Sequence, residues 1–186
     1  MITLESTWTS AGQQRHFRDL LTALSFPGRI VPLLAEDRSE SAHVSMVACL
    51  ADAGSTLADP HALLSARTWG LVAATPTAVD RAALIVLDGR RPADATLQPQ
   101  RGTLEEPEGG ATLIISVEML GAGPLHLRAR GPGIATEHTW SVAGLDPAWL
   151  VRRAAWIDYP RGVDVILCDA QRIVAIPRTT TLTWES

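Results

Sequence analysis

The chain has 186 residues, 46% of them apolar and 19% charged, with a formal net charge of −4. That is enough apolar chain to close a core without disulfides or structural metal, and the scattered basic residues argue against nucleic acid or anionic membrane as partners. All 16 basic residues are arginines, so a P-loop and a covalently bound pyridoxal phosphate, both of which need a lysine, are excluded.

From the N-terminus, Met1-Ile2-Thr3-Leu4-Glu5-Ser6 lacks a basic stretch followed by an apolar one. The longest apolar runs, such as Ala111 to Val117, are strand-length, so a cytoplasmic protein with no membrane span is expected. Ser10 to Ser25 reads as a helix with Phe17, Leu20, Leu21 and Leu24 as its core stripe. Ser10 and Gln13 form its capping box, and Pro27-Gly28 ends it. Ile30 to Leu34 is a short strand at a sheet edge, because Pro32 cannot donate to a ladder. A second helix is expected over Glu40 to Ala51. Leu57 to Val79 is divided between a helix near Pro60 to Thr68 and loop, and Ala83 to Leu87 is a buried strand.

The Arg-, Pro- and Glu-rich stretch Gly89 to Gly110 reads as a surface connection with one helical turn. Strands follow at Ala111 to Glu118, Leu125 to Arg130 and Glu137 to Val142. Asp146 caps a helix running to about Ile157, with Pro147 in its first turn and Leu145 stapled onto Leu150. Val163 to Leu167 and Ile173 to Ile176 are two buried strands around the turn Asp169-Ala170-Gln171-Arg172. The expected architecture is one α/β domain over residues 1–186, a mixed sheet covered by helices on both faces.

The second of these terminal strands stops at Pro177-Arg178-Thr179-Thr180. Two readings of that tip stand. The guanidinium of Arg178 with the hydroxyls of Thr179, Thr180 and Thr181 suits a phosphate or phosphonate; equally, Arg178 pairs a carboxylate across the sheet and the threonines serve a strand. Arg18 is similarly divided between a boundary side chain and an anion contact. A hairpin centred on Pro132 would set His126 opposite His138 and Arg128 opposite Thr136, but Glu137 points to the other face and no third ligand offers itself, so no metal is expected. Trp149 and Trp156 share a helical face, as core or as interface anchor. Cys49 and Cys168 match no disulfide or zinc spacing and read as buried thiols. No residue pattern marks a catalytic constellation.

Four blocks in order carry a resemblance: Phe17-Arg18-Asp19-Leu20-Leu21 with Ser25-Phe26-Pro27-Gly28, then Gly110-Ala111-Thr112-Leu113-Ile114, then Gly131-Pro132-Gly133-Ile134, then Pro160 to Thr180. Together they resemble the PhnH family, a component of the bacterial carbon-phosphorus lyase machinery. The likeness runs the whole length and is weakest between Gly54 and Arg101. It implies the fold of type I pyridoxal-phosphate transferases, here without that cofactor. It also implies an accessory role in phosphonate catabolism, with subunits G, I, J and L as partners. The step supported with G, I and L is formation of ribose 1-alkylphosphonate 5-triphosphate from ATP and alkylphosphonate; the iron-sulfur radical cleavage belongs to J. The isolated chain is expected to be a homodimer, and Arg178, Thr179, Thr180 and Arg18 to contact phosphonate, nucleotide or a partner. The competing reading is a free-standing nucleotide- or phosphate-binding enzyme on the same scaffold.

Overall fold

The computed structural model describes residues 6–33 and 40–185. Helix α1 spans Ser10–Ser25, as the sequence predicts, but its cap and buried face differ. Thr9 is the cap: its Oγ1 accepts the Gly12 N–H at 3.1 Å and donates to the Ser6 carbonyl at 2.7 Å. A short 3-10 turn at Ser6–Trp8 is thereby folded directly over Gly12, where any side chain would collide with the Ser6 carbonyl. The helix consequently buries Gly12, His16, Leu20 and Ala23, while Phe17 and Leu21 are 44% and 47% exposed.

After α1 the chain forms β1 (Val31–Pro32), α2 (Ala42–Leu50), β2 (Thr56–Ala58), α3 (Ala66–Leu71), β3 (Thr75–Pro76) and β4 (Leu84–Asp88). The expected end of the first strand, Leu34, lies outside the described residues. The helix expected at Pro60 to Thr68 begins later, because the Asp59 carboxylate takes the N–H groups of Leu63 and Leu64 into a turn and Ser65 then caps α3 by accepting from Thr68. Next come β5 (Thr112–Ser116), β6 (Met119–Arg130), β7 (His138–Ala143), α4 (Ala148–Trp156), β8 (Asp164–Cys168), β9 (Arg172–Ile176) and β10 (Thr181–Glu185). The connection before β5 carries the one expected helical turn, at Pro107–Gly109. At α4, Asp146 Oδ1 accepts the Ala148 N–H at 2.8 Å, and Leu145 and Leu150 are both buried, as a cap and staple require.

Seven strands form one mixed sheet in the order β1-β9-β8-β5-β4-β2-β3. The set β8-β5-β4-β2-β3 is parallel; β9 is antiparallel to β8, and β1 to β9. Its central strands read Leu-Ile-Val-Leu-Asp, Thr-Leu-Ile-Ile-Ser, Asp-Val-Ile-Leu-Cys and Arg-Ile-Val-Ala-Ile. These are near-continuous apolar runs because both faces are covered. One face packs Leu57, Val86, Ile114 and Ile166 against Leu20 and Ala23 of α1 and Val44 and Val47 of α2. The other packs Ile85, Leu113, Val165 and Val174 against Trp149, Leu150 and Trp156 of α4. Trp149 and Trp156 are thus core, 2% and 3% exposed.

The strands expected at Leu125 to Arg130 and Glu137 to Val142 do not join that sheet. They form a separate antiparallel one, ordered β10-β6-β7, whose inner face adds Leu125, Leu127, Ala129, Trp140 and Val142 to the α4-side core. Leu125-His126-Leu127-Arg128-Ala129-Arg130 alternates buried and exposed, the period of a sheet wet on one side. The hairpin register also corrects the expectation: His126 faces Ser141, Arg128 faces Thr139 and Ala129 faces His138. The long connection through Gly131 and Gly133 shifts the pairing by an odd number of residues, so His126 and His138 lie on opposite faces of the sheet. No group of metal-ligating side chains occurs among the described residues, and no helix among them is long and apolar enough to cross a membrane.

Candidate functional site

The turn between β9 and β10 is where the sequence motifs meet. Pro177 ends the main-sheet strand, the Thr180 N–H donates to the Pro177 carbonyl at 2.9 Å, and the chain crosses into the second sheet. Arg178 is anchored underneath. Its backbone N–H donates to Asp164 Oδ1 at 2.7 Å, its Nε to the same oxygen at 3.3 Å and its Nη2 to Oδ2 at 2.6 Å, while Nη1 donates to the Pro107 carbonyl. The Arg178 side chain is 14% exposed and that of Asp164 24%. Gly110 leaves room for this guanidinium: a Cβ there would stand 2.8 Å from Nη1. The fork that would suit a phosphoryl oxygen pair is therefore occupied by a carboxylate of the same chain.

Arg153 of α4 holds the turn from the other side. Its Nη2 donates to the carbonyls of Pro177 at 2.8 Å and Thr180 at 3.0 Å. Burial pulls this guanidinium down to about 10, with the charge of Asp164 opposing the shift. Arg153 Nε and Thr180 Oγ1 are both buried without a hydrogen-bond partner among the described residues. Of the tip, Thr180 is buried and Thr179 is exposed.

The glycine-proline block packs onto the same turn. A Cβ on Gly131 would meet the Thr179 carbonyl at 2.9 Å. Gly133 has φ +82, and a side chain there would run into the Ser25 carbonyl at 2.5 Å; only glycine satisfies both the dihedral and the approach. Gly28 in turn donates its N–H to the Ala175 carbonyl of β9 at 3.2 Å. Ser25-Phe26-Pro27-Gly28, Gly110, Gly131-Pro132-Gly133 and Pro177 to Thr180 are therefore one packed neighbourhood, built by close backbone approach rather than by convergent catalytic side chains. Arg18 stands apart: it is exposed on α1, and no hydrogen bond or ion pair among the described residues ties it to the turn. Sequence reasoning missed Asp164, Arg153 and the Pro107 carbonyl, the three anchors of the turn. The thiols offer no nucleophile: burial pushes Cys49 up to about 12, and Cys168 is buried and raised for the same reason.

The family model for PhnH, bacterial phosphonate metabolism protein, matches residues 5–183. A relative from Stutzerimonas stutzeri, named putative C-P lyase subunit protein HtxG, is 41% identical over 174 residues, 93% of this chain and 87% of the relative. A second, from Rhizobium meliloti (strain 1021), is named alpha-D-ribose 1-methylphosphonate 5-triphosphate synthase subunit PhnH. It is 36% identical over 88 residues, 45% of this chain and 42% of the relative. The matched span takes in every block that packs around the β9–β10 turn, and on that match the chain belongs to the PhnH family of bacterial phosphonate metabolism proteins.

Proposed function

We propose that this chain is an accessory subunit of a carbon-phosphorus lyase assembly in phosphonate catabolism. It supports, with subunits G, I and L, formation of ribose 1-alkylphosphonate 5-triphosphate from ATP and alkylphosphonate, and it has no catalysis of its own. The carrying observation is the match over residues 5–183 together with a relative, similar over 93% of the chain, that is named a C-P lyase subunit. The site agrees in character, since its arginines are committed to holding a turn. Within this reading Arg178 and Thr180 set the shape of the turn, and Thr179 on the turn and Arg18 on α1, both exposed, are partner contacts of the chain. The scaffold reading, a type I pyridoxal-phosphate transferase fold, is what the family resemblance implies, and the lysine-free composition leaves that fold without a covalently bound pyridoxal phosphate. One cytoplasmic domain, homodimeric when isolated and associated with subunits G, I and J in the assembly, completes the proposal.

The docking face is α1. Phe17 and Leu21, one turn apart, are 44% and 47% exposed, and Phe26 just beyond the helix is 50% exposed. Exposed Arg18 lies beside them, and the Arg29 guanidinium stands 5.6 Å over the Phe26 ring. Aromatic and aliphatic anchors rimmed by arginine are the composition of a subunit interface. The occupant is another subunit of the assembly, and in the isolated chain a second copy takes its place. Because these side chains are exposed, Phe17→Ser with Leu21→Ser should change folding stability by only about 0.5 kcal/mol per site, against about 2 to 5 kcal/mol for buried Leu20→Ala. Co-purification with tagged subunits G, I and J tests this directly. The double variant should remain folded, melting only a few degrees below wild type, and fail to co-elute; co-elution at wild-type yield would remove α1 as the docking face. Turnover of ATP and methylphosphonate by the purified chain alone would favour the free-standing enzyme instead.

A further inference from the structure

Where β4 leaves the main sheet, the stretch Asp88-Gly89-Arg90-Arg91 is tied to its neighbours by hydrogen bonds of two kinds. The Gly89 N–H donates to the Ser116 carbonyl of β5 at 2.8 Å, and the Gly89 carbonyl accepts the Asp146 N–H ahead of α4 at 2.8 Å. The Arg91 carbonyl accepts Trp149 Nε1, also at 2.8 Å. None of these partners titrates near neutral pH. The remaining tie does: the Asp88 N–H donates to His61 Nδ1 at 2.9 Å. Because Nδ1 accepts, the proton of the neutral ring sits on Nε2.

His61 belongs to the turn between β2 and α3. That turn is built on the Asp59 carboxylate, which takes the Leu63 and Leu64 N–H groups at 2.9 and 2.8 Å, and it passes through Ala62 at φ +54. Leu64 is buried in the core beneath α1 and α2, and His43 of α2 hydrogen-bonds the Leu63 backbone. The turn is therefore pinned at one end by Leu63 and Leu64, and His61 carries its other end to β4. The imidazole is half-buried, 6.3 Å edge-on to the Trp149 ring of α4. The charges facing it are Asp59 on its own turn and Asp88 and Arg91 at the end of β4. Both carboxylates are already engaged, Asp59 by the turn and Asp88 by Arg90 Nε and Nη2 at 3.0 and 2.9 Å. Arg91 repels an imidazolium. A second proton makes both ring nitrogens donors, so the ring then meets the Asp88 N–H donor to donor and no ring flip restores an acceptor.

We infer that His61 is a pH-sensitive latch: neutral, it holds the β2–α3 turn against the end of β4, and protonated, it releases the Asp88 N–H and the turn opens about Leu64. The latch goes beyond the subunit reading and does not depend on it. Burial, with Arg91 adding to it, holds the imidazole below its ordinary value. The latch is therefore fully closed above the ordinary imidazole value of about 6.5 and is lost as pH falls below it, through the lower value of the folded chain. Burial lowers His43 as well and gives the whole chain the same slope, so the test compares variants and reads single amides. Hydrogen exchange of the purified chain is followed by NMR at about pH 7 and about pH 5, on either side of the imidazole range. From the higher pH to the lower, protection of the Asp88 amide should fall about tenfold or more relative to the amides of β5, with Leu63 and Leu64 falling alongside it. His61→Asn sets an oxygen acceptor near the place of Nδ1 and cannot titrate, so its Asp88 protection relative to β5 should be the same at both pH values. His61→Ala should show the low protection at both. An equal fall in wild type and His61→Asn would overturn the latch. So would a fall at Asp88 with Leu63 and Leu64 unchanged, since the imidazolium would then have re-paired with the Asp88 carboxylate and left the turn closed. Nitrogen shifts of the ring should report the Nε2-protonated tautomer at about pH 7, and a proton on Nδ1 there would contradict the tie itself.

Discussion

Replacing Arg178 by alanine is expected to lower the stability of the chain by about 2 to 4 kcal/mol, less than the full cost of breaking a buried pair because both partners keep some solvent contact. For a chain of this length that is a drop of roughly 6 to 12 °C in melting temperature. The cause is the Asp164 carboxylate, 24% exposed, which loses both guanidinium contacts and keeps only the Arg178 backbone N–H. Arg178→Lys restores the charge and one contact, so it should recover only part of the loss. Asp164→Ala should cost a similar amount, and the double variant should cost less than the sum. Melts with and without ATP or methylphosphonate separate this from an anion grip. An equal drop in both conditions is expected; an unchanged melt in buffer with loss of a ligand-induced shift would return Arg178 to a binding role.

Arg153→Ala is expected to be as severe, about 3 to 5 kcal/mol. It combines loss of a large buried side chain with the exposure of two carbonyls, those of Pro177 and Thr180, to an unfilled space. The Pro177 carbonyl still accepts the Thr180 N–H, so the Thr180 carbonyl is the more seriously affected of the two. The sign with pH follows from burial. Arg153 is pulled below its unfolded value to about 10, so the unfolded chain holds the proton more tightly and stability rises only as pH passes up through about 10. Melting temperature measured between about pH 6 and 9 should therefore carry no pH dependence from Arg153. Urea unfolding of Arg153→Ala and Arg153→Met at about pH 7 checks the size. If alanine costs under about 1 kcal/mol, the turn is not held by this side chain.

Much of the fold was legible in the sequence, for identifiable reasons. Helix α1 has a strong start and a proline-glycine stop, and β4, β5, β8 and β9 are short apolar runs that only a doubly covered sheet uses. The Asp164–Arg178 pair was also within reach. A tight turn at Asp169 to Gln171 sets Cys168 opposite Ile173 and Val165 opposite Ile176, which brings Asp164 to the foot of Pro177-Arg178. Periodicity failed where tertiary contacts override it. Phe17 and Leu21 fit an apolar stripe, yet the contact of the Ser6–Trp8 turn with Gly12 rotates the buried face to His16 and Leu20. The second sheet was hidden because strand alternation reports a wet face but not which sheet a strand joins. Arg153 was invisible, since a buried arginine serving backbone carbonyls has no local pattern.

The accessory role is tested most directly by omission. Subunits G, I, J and L are assembled with and without this chain, and conversion of ATP and methylphosphonate to the ribose 1-methylphosphonate 5-triphosphate product is followed by phosphorus NMR. The chain should be inactive alone, product formation should collapse when it is left out, and adding it back should restore the rate. Full product formation in its absence, at the same assembly yield, would contradict an accessory role for this chain.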